Sequence, residues 1–313
     1  MFTYLAEYRM DDMKAMVRNH RTPHHRTTSS LAGKTVVISG STSGVGLAAA
    51  AEVARFGGRL VLLARDEAKA LAVRARLEDD FGADVSHWLA DFSRLSEVHQ
   101  VAEALLRSVG SIDVLINSAG LHSTRRIRTE EGFELSFCVN HLAPFVLTHR
   151  LLGGMRARGA GRVIQVNSQG HRFAGLALDD LAWRRRIYTG LRAYGASKTA
   201  QLLSVWEFAE RLEESGVTIN AMHPGEVRTA IGSNNGPLYR AYQQRVLKRW
   251  LGDPRVSGES LHYLAAAPEL AGVSGRYFNR THPEKPAPHA LDRAVGRRLW
   301  EETLVLTGLS DDI

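Results

Sequence analysis

The feature that most limits the fold is an alternation. Short apolar runs rich in β-branched residues lie at Thr35–Ser39, Leu60–Ala64, Val85–Leu89, Val114–Asn117, Val163–Val166 and Thr218–Met222. Between them come stretches of helical periodicity, as where Leu95, Val98, Ala102, Leu105 and Leu106 make one stripe. Strands that alternate with helices build parallel βαβ units. Runs apolar on both faces belong to strands covered by helices on both sides. The expected architecture is α/β, a doubly wound parallel sheet flanked by helices. The 313 residues suggest two domains by length alone, but the pattern continues as one sheet, with residues 31–283 as the main domain.

Three segments fall outside the alternation. Residues 1–30 carry Phe2, Leu5, Tyr8, Met13, Met16 and Val17 at loosely helical spacing, then a polar stretch from Asn19 to Ser30. They read as a short amphipathic helix and a linker, or as a poorly ordered terminus. Ile231–Gly258 is too long for a plain connection and reads as a helical lid over a ligand cleft. A helix at Gly258–Ala267 and a strand at Gly275–Phe278 then complete the sheet. Residues 284–313 form a tail whose helix, Leu291–Leu304, packs on the core.

Composition excludes several classes. The only cysteine, Cys138, permits no internal disulfide, and no Cys/His cluster has metal-binding spacing; a reducing, cytoplasmic setting and no metal are expected. No apolar run approaches the ~18 residues of a membrane span. Glu7, Asp11 and Asp12 interrupt the place where a secretory apolar region would lie. A net charge of +7 raises a nucleic-acid partner, but no groove-reading element or aromatic platform accompanies it.

The first strand runs into Ser39-Gly40-Ser41-Thr42-Ser43-Gly44-Val45-Gly46 and an Ala-rich helix. Gly40 permits a tight turn, Gly44 lets a pyrophosphate approach the backbone, and Gly46 lets the helix pack close to the sheet. Free N–H groups and the helix dipole would hold the anion. Arg65 stands at the end of the second strand, where an acid would bind a ribose 2′-hydroxyl; a guanidinium there pairs with a 2′-phosphate instead. The reading is NADP(H), with Asp66 as a cap for the next helix.

Tyr194 and Lys198 lie four residues apart, on one face of a helix. A tyrosine with a pKa near 10 is a poor base at neutral pH, and a neighbouring ammonium lowers it. Ser168 ends the fifth strand, where its hydroxyl would hold a substrate oxygen. Asn117-Ser118-Ala119-Gly120 ends the fourth, at the rim where such sheets bind ligands. Asn140 and the Pro224–Thr229 segment complete the set.

Taken in order, the GxxxGxG loop, Asn-Ser-Ala-Gly, Asn140, Ser168, Tyr-x-x-x-Lys and Pro-Gly resemble the short-chain dehydrogenase/reductase family from about Leu31 to Leu309. Finer features resemble its retinol-dehydrogenase-like branch: Val139–Thr148, the insertion Gly175–Leu191, His223-Pro224-Gly225 and Pro268–Phe278. The resemblance implies a Rossmann-like sheet of about seven strands and NADP(H)-dependent interconversion of a carbonyl and an alcohol on apolar small molecules. It assigns Tyr194 as acid/base, Ser168 to the carbonyl, and Lys198 to the nicotinamide ribose and the lowering of the Tyr194 pKa. It assigns Asn140 to a relay water near Lys198. Asp91 and the adjoining Phe92 would meet the adenine. Asn117 would line the cofactor cleft with Ser118, Ala119 and Gly120, and Thr229 with Val227 would hold the carboxamide. Ser39, Ser118 and Glu226 depart from the family pattern. A cyclisation or dehydration on the same scaffold, or a cofactor-binding regulator, are the alternatives.

His141 and His223 match positions that the branch often fills with histidine, whereas His122 and His171 follow cleft-rim motifs. Arg125-Arg126-Ile127-Arg128 and Arg184-Arg185-Arg186 read as solvated faces, or as groups that steer anions. Leu202, Leu203, Val205, Trp206, Phe208, Ala209 and Leu212 cover most faces of the helix after Lys198, which suggests a subunit interface, and the resemblance implies a homodimer.

Overall fold

The structure, a computed structural model, describes residues 9–226 and 252–313. Among the described residues eight strands form one sheet: β1 Thr35–Ser39, β2 Arg59–Ala64, β3 Val85–Leu89, β4 Val114–Asn117, β5 Gly161–Val166, β6 Val217–His223, β7 Tyr277–Asn279 and β8 His282–Pro283. Their order is β3-β2-β1-β4-β5-β6-β7-β8. All neighbours are parallel except the last pair, β7 and β8. The eighth strand has two residues and no long apolar run, so the sequence pattern carries no sign of it.

The helices are α1 Met10–Arg21, α2 Gly44–Arg55, α3 Glu67–Phe81, α4 Leu95–Ser108, α5 Leu135–Phe137, α6 Ala143–Ala157, α7 Gly190–Arg211, α8 Arg255–Ala266 and α9 Arg293–Thr307. Two cores flank the sheet. One gathers side chains of α4, α6, α7 and α9, and the other those of α2, α3 and α8. β1 and β4 are buried along their whole length, as the absence of a polar face requires. The chain reverses direction across the sheet between β1 and β4, which opens a crevice at their carboxyl ends. Among the described residues, no helix is long and apolar enough to cross a membrane.

The apolar surface of α7 has a different partner from the one expected. Leu202, Leu203, Val205, Trp206, Phe208 and Leu212 are all buried within this one chain. Trp300 on α9 packs edge-on against Phe145 and Phe208, with centroids at 4.9 and 4.8 Å. His141 Nε2 and Thr303 Oγ1 meet at 3.0 Å, tying α9 to the turn before α6. Arg211 lies over the Trp300 ring at 4.0 Å. The apolar faces of α7 are thus covered within the chain itself, in part by the terminal helix, and do not by themselves argue for a second subunit.

The N-terminal extension is also held. α1 runs through Arg21, so Asn19–Arg21 are its last turn rather than a linker. Its Val17 is exposed, and Asn19 is its buried residue. Beyond it, His25 N donates to Thr281 Oγ1 at 2.8 Å, and the His262 ring bonds the Ser29 carbonyl at 2.9 Å. Most of the expected lid, Ile231–Gly258, lies outside the described residues. Its last four residues are the first turn of α8.

Trp300 is 1% exposed, so Trp300→Ala should cost about 3–5 kcal/mol, the usual range for an aromatic deleted from a core. Urea unfolding followed by circular dichroism measures this; a loss below about 1 kcal/mol would show that α9 does not stabilise α7.

Candidate active site

The crevice begins where β1 enters α2. The Ser39 hydroxyl accepts from Ser118 N and Ala119 N, both at 3.1 Å, and so joins the tips of β1 and β4. Gly40 has φ +66°, and a Cβ there would stand 2.8 Å from Ala119 Cα. A Cβ on Gly46 would stand 2.3 Å from the Gly40 carbonyl oxygen. Both glycines are thus required by backbone packing. Ser43 begins α2 without a side-chain cap, whereas Asp66, Thr189 and Asp292 cap α3, α7 and α9. The first amides of α2 therefore face the crevice with no side-chain acceptor, next to glycine backbone. That is a fitting cradle for a pyrophosphate. Ser41 is buried with its hydroxyl on the Leu63 carbonyl, at 3.3 Å, so only its N–H is left for a phosphate. Thr42 is partly exposed and Ser43 exposed, while Val45 is buried behind the loop.

Arg65 is exposed at the end of β2. Asp66 turns away as the cap of α3, accepting from Lys69 N at 3.1 Å, with Lys69 Nζ at 2.9 Å. Those contacts hold its carboxyl below the ordinary range. Asp91 accepts from Ser93 N and Ser93 Oγ at 2.9 and 2.8 Å, which shapes the loop after β3. The Phe92 ring lies in the core, so Phe92 offers an adenine its backbone alone.

Asn117 departs from expectation. It is buried, and its amide donates to Thr148 Oγ1 at 2.9 Å. Its side chain therefore lies behind the cleft wall and does not line it. Gly120 does line it: a Cβ there would stand 3.2 Å from Asn140 Oδ1 and 3.8 Å from Lys198 Nζ.

Asn140 sits in a π-helical turn, Cys138–Leu142, between α5 and α6; such turns often mark functional sites. Its Oδ1 accepts from Leu121 N at 2.8 Å, and its Nδ2 donates to the Leu121 carbonyl and to Ser197 Oγ, both at 2.9 Å. Both amide hydrogens are committed. The side chain fixes the β4 loop over Lys198, and the expected hold on a water does not fall to its N–H groups. Cys138 is buried, its thiol directed at the Phe92 carbonyl and pushed up in pKa by burial.

Ser168 follows β5 and caps the 3-10 turn Gln169–Phe173, its Oγ accepting from Gly170 N at 3.0 Å. Tyr194, one turn into α7, stands beside Ser168, whose hydroxyl favours the ionised phenol. Its ring lies on Gly170, where a Cβ would stand 2.6 Å from Cε1. Burial pushes the phenol up to about 12, and the neighbouring Ser168 hydroxyl only partly offsets this. Lys198 is buried one turn further along, with Nζ donating to the Val166 carbonyl at 2.8 Å and to Gln201 Oε1 at 3.3 Å. Burial brings its ammonium down to about 7. The expected lowering of the Tyr194 pKa by Lys198 is therefore not achieved by the protein alone, since desolvation dominates both groups.

His171 accepts from Ala287 N on Nε2 at 3.1 Å, which leaves Nδ1–H to donate to the Ser168 carbonyl at 2.7 Å. Burial lowers its pKa well below the usual value, in keeping with a neutral ring. It is a structural residue. His141 and His223 are buried too and brought down to about 3. His122 alone of the four stands beside the Tyr194 ring, edge-on at 5.7 Å. Pro224 is buried, its carbonyl accepting from Ser257 Oγ at 2.8 Å, and Gly225 turns with φ +88°. Glu226 is exposed. Val227 and Thr229 lie outside the described residues.

Sequence reading missed a polar layer behind Lys198. Asn167 Nδ2 donates to the Lys198 carbonyl at 3.0 Å and to Gln201 Oε1 at 2.8 Å, and its Oδ1 accepts from Ser168 N at 2.8 Å. Gln201 continues to Gln165 and Thr148. The available signal was a Gln three residues after Lys198, on the same face of the helix.

A family model described as short chain dehydrogenase matches residues 34–238. Human retinol dehydrogenase 13 is 37% identical over 289 residues, covering 90% of this chain and 86% of its own. DnrU of Streptomyces sp. (strain C5), provisionally named a daunorubicin C-13 ketoreductase, is 34% identical over 289 residues, covering 92% and 96%. A Beutenbergia cavernae structure with bound NADP, at low occupancy, superposes with a TM-score of 0.64 at 26% identity, covering 80% and 96%. The strand order, the glycine cradle and the Ser168–Tyr194–Lys198 cluster agree with these matches, and the chain belongs to the short-chain dehydrogenase/reductase family, among its retinol-dehydrogenase-like members.

Proposed function

We propose that this protein is an NADP(H)-dependent oxidoreductase that interconverts a ketone or aldehyde and an alcohol on an apolar small molecule. The observation that carries the reading is that the Tyr194 ring and the Ser168 hydroxyl meet over Gly170, where a Cβ would stand 2.6 Å from one and 3.3 Å from the other, with Lys198 one turn along the same helix, at the rim that the glycine loop shares. The glycine loop and Lys198 would hold a nicotinamide dinucleotide there, which would supply or accept the hydride when bound. Ser168, held by Gly170 N, orients the carbonyl oxygen. Tyr194 donates its proton to that oxygen in reduction and takes it back in oxidation. Lys198 holds the nicotinamide ribose, and Asn140 keeps the β4 loop in place above it.

Arg65 supports NADP(H) over NAD(H): it is an exposed guanidinium whose acidic neighbour is occupied as a helix cap. A retinol and a daunorubicin ketone, named in two relatives, support an apolar or ring-bearing substrate. One buried thiol suits a reducing cytoplasm.

Three measurements test this reading. Tyr194→Phe should abolish turnover of hydrophobic ketones while NADPH still binds with wild-type affinity in a fluorescence titration; retained turnover would overturn the acid/base assignment. Arg65→Ala should weaken NADPH about 10–100-fold, the loss of one charged hydrogen-bonding partner, and leave NADH unchanged. Equal loss for both would refute the 2′-phosphate role. Because the phenol is raised to about 12 in the protein alone, it is protonated at neutral pH and suits donation. Alcohol oxidation, which needs phenolate, should rise with pH from 6 to 9, and ketone reduction should not. The reverse pattern would exclude Tyr194 as the proton carrier.

A further inference from the structure

One buried carboxylate has no place in the chemistry above. Glu284, just after β8, has a side chain 1% exposed. It accepts from Gln169 Nε2 at 2.6 Å and Arg172 Nη2 at 3.0 Å, both on the turn that follows Ser168. It also accepts from Asn279 Nδ2 on β7 at 3.0 Å and from Asn19 Nδ2 on α1 at 3.3 Å. Four donors from three separate parts of the chain thus converge on one carboxylate.

The same segment grips the turn a second time. Ala287 N donates to the His171 ring, and the His289 ring bonds the His171 carbonyl at 2.8 Å. The turn in between carries Gly170, whose N–H holds Ser168 Oγ and whose bare Cα faces the Tyr194 ring. Any shift of Gln169–Phe173 therefore moves the hydroxyl and the phenol relative to each other. α1 is clamped to this hairpin as well: Arg280 donates to the carbonyls of His20 and Thr22, at 2.9 and 3.0 Å, and Lys285 pairs with Asp12 at 2.8 Å.

We propose that Glu284 is a positioning residue for Ser168, and that α1, through Asn19, belongs to the catalytic unit. This rests on the reading of Ser168 as the group that orients the carbonyl. An ionised carboxylate can accept four hydrogen bonds, while the single oxygen of a glutamine accepts two. Glu284→Gln therefore leaves two donors unsatisfied and removes the counter-charge of Arg172. Glu284→Asp keeps the charge on a shorter stem. Asn19→Ala cuts the α1 link alone.

The experiment uses the full chain with NADPH and a ketone that it reduces. Glu284→Gln should lower kcat about 10–100-fold, as expected for a small displacement of a reacting group, with NADPH affinity within about twofold of wild type. Glu284→Asp should recover part of kcat, and Asn19→Ala should lose several-fold. Amide hydrogen exchange across residues 169–173 should rise several-fold in both Glu284→Gln and Asn19→Ala. Exchange is read without turnover, so it tests the link even if no ketone is reduced and the functional reading fails. Wild-type exchange in both variants, or wild-type kcat in a folded Glu284→Gln, would overturn the proposal. If Glu284→Gln does not fold, Asn19→Ala decides by the same two readouts.

Discussion

The contact on which this site depends is backbone against ring. Gly170, on the turn after β5, and Gly195, on α7, face each other without side chains. A Cβ on Gly195 would stand 2.8 Å from the Gly170 carbonyl oxygen, and one on Gly170 would enter the Tyr194 ring. Thr199 Oγ1 then bonds the carbonyls of His171 and Ala174, at 3.1 and 2.8 Å, and draws the turn onto the helix. This approach brings a phenol on a helix and a hydroxyl at a strand end together over one glycine. The strand order brings the glycine cradle to the same rim, since β1 and β5 both flank β4.

Burial governs the electrostatics of the site. Tyr194 and Lys198 are removed from water, and each is driven toward its neutral form, the phenol up to about 12 and the ammonium down to about 7. Such a site holds a proton on the phenol at neutral pH. The polar layer of Asn167, Gln201 and Gln165 keeps the lysine and the serine in register without adding a formal charge.

Much of this was legible in the sequence, and the reasons differ by element. The strands β1 to β6 read clearly because helices cover both faces, which requires continuous β-branched runs. Ser168, Tyr194, Lys198 and the glycine loop read clearly because their chemistry fixes residue type and spacing. The role of Asn117 was misplaced: a polar residue at a strand end looks the same from the sequence whether it faces a cleft or a buried threonine. The apolar faces of α7 suggested a second subunit because hydrophobicity names no partner, and α9 lies about ninety residues away in the sequence. Glu284 gave no signal, since its four donors come together only in the folded chain.

The account is tested most directly by following the hydride itself. The enzyme would be incubated with NADPH carrying deuterium at the transferable C4 position and a panel of hydrophobic ketones, and the products analysed by mass spectrometry. The expected product is an alcohol one mass unit heavier, with the deuterium on the carbinol carbon and an equal loss of nicotinamide absorbance. A product formed without deuterium and without any change in that absorbance would contradict the account and place a cyclisation or dehydration on this scaffold.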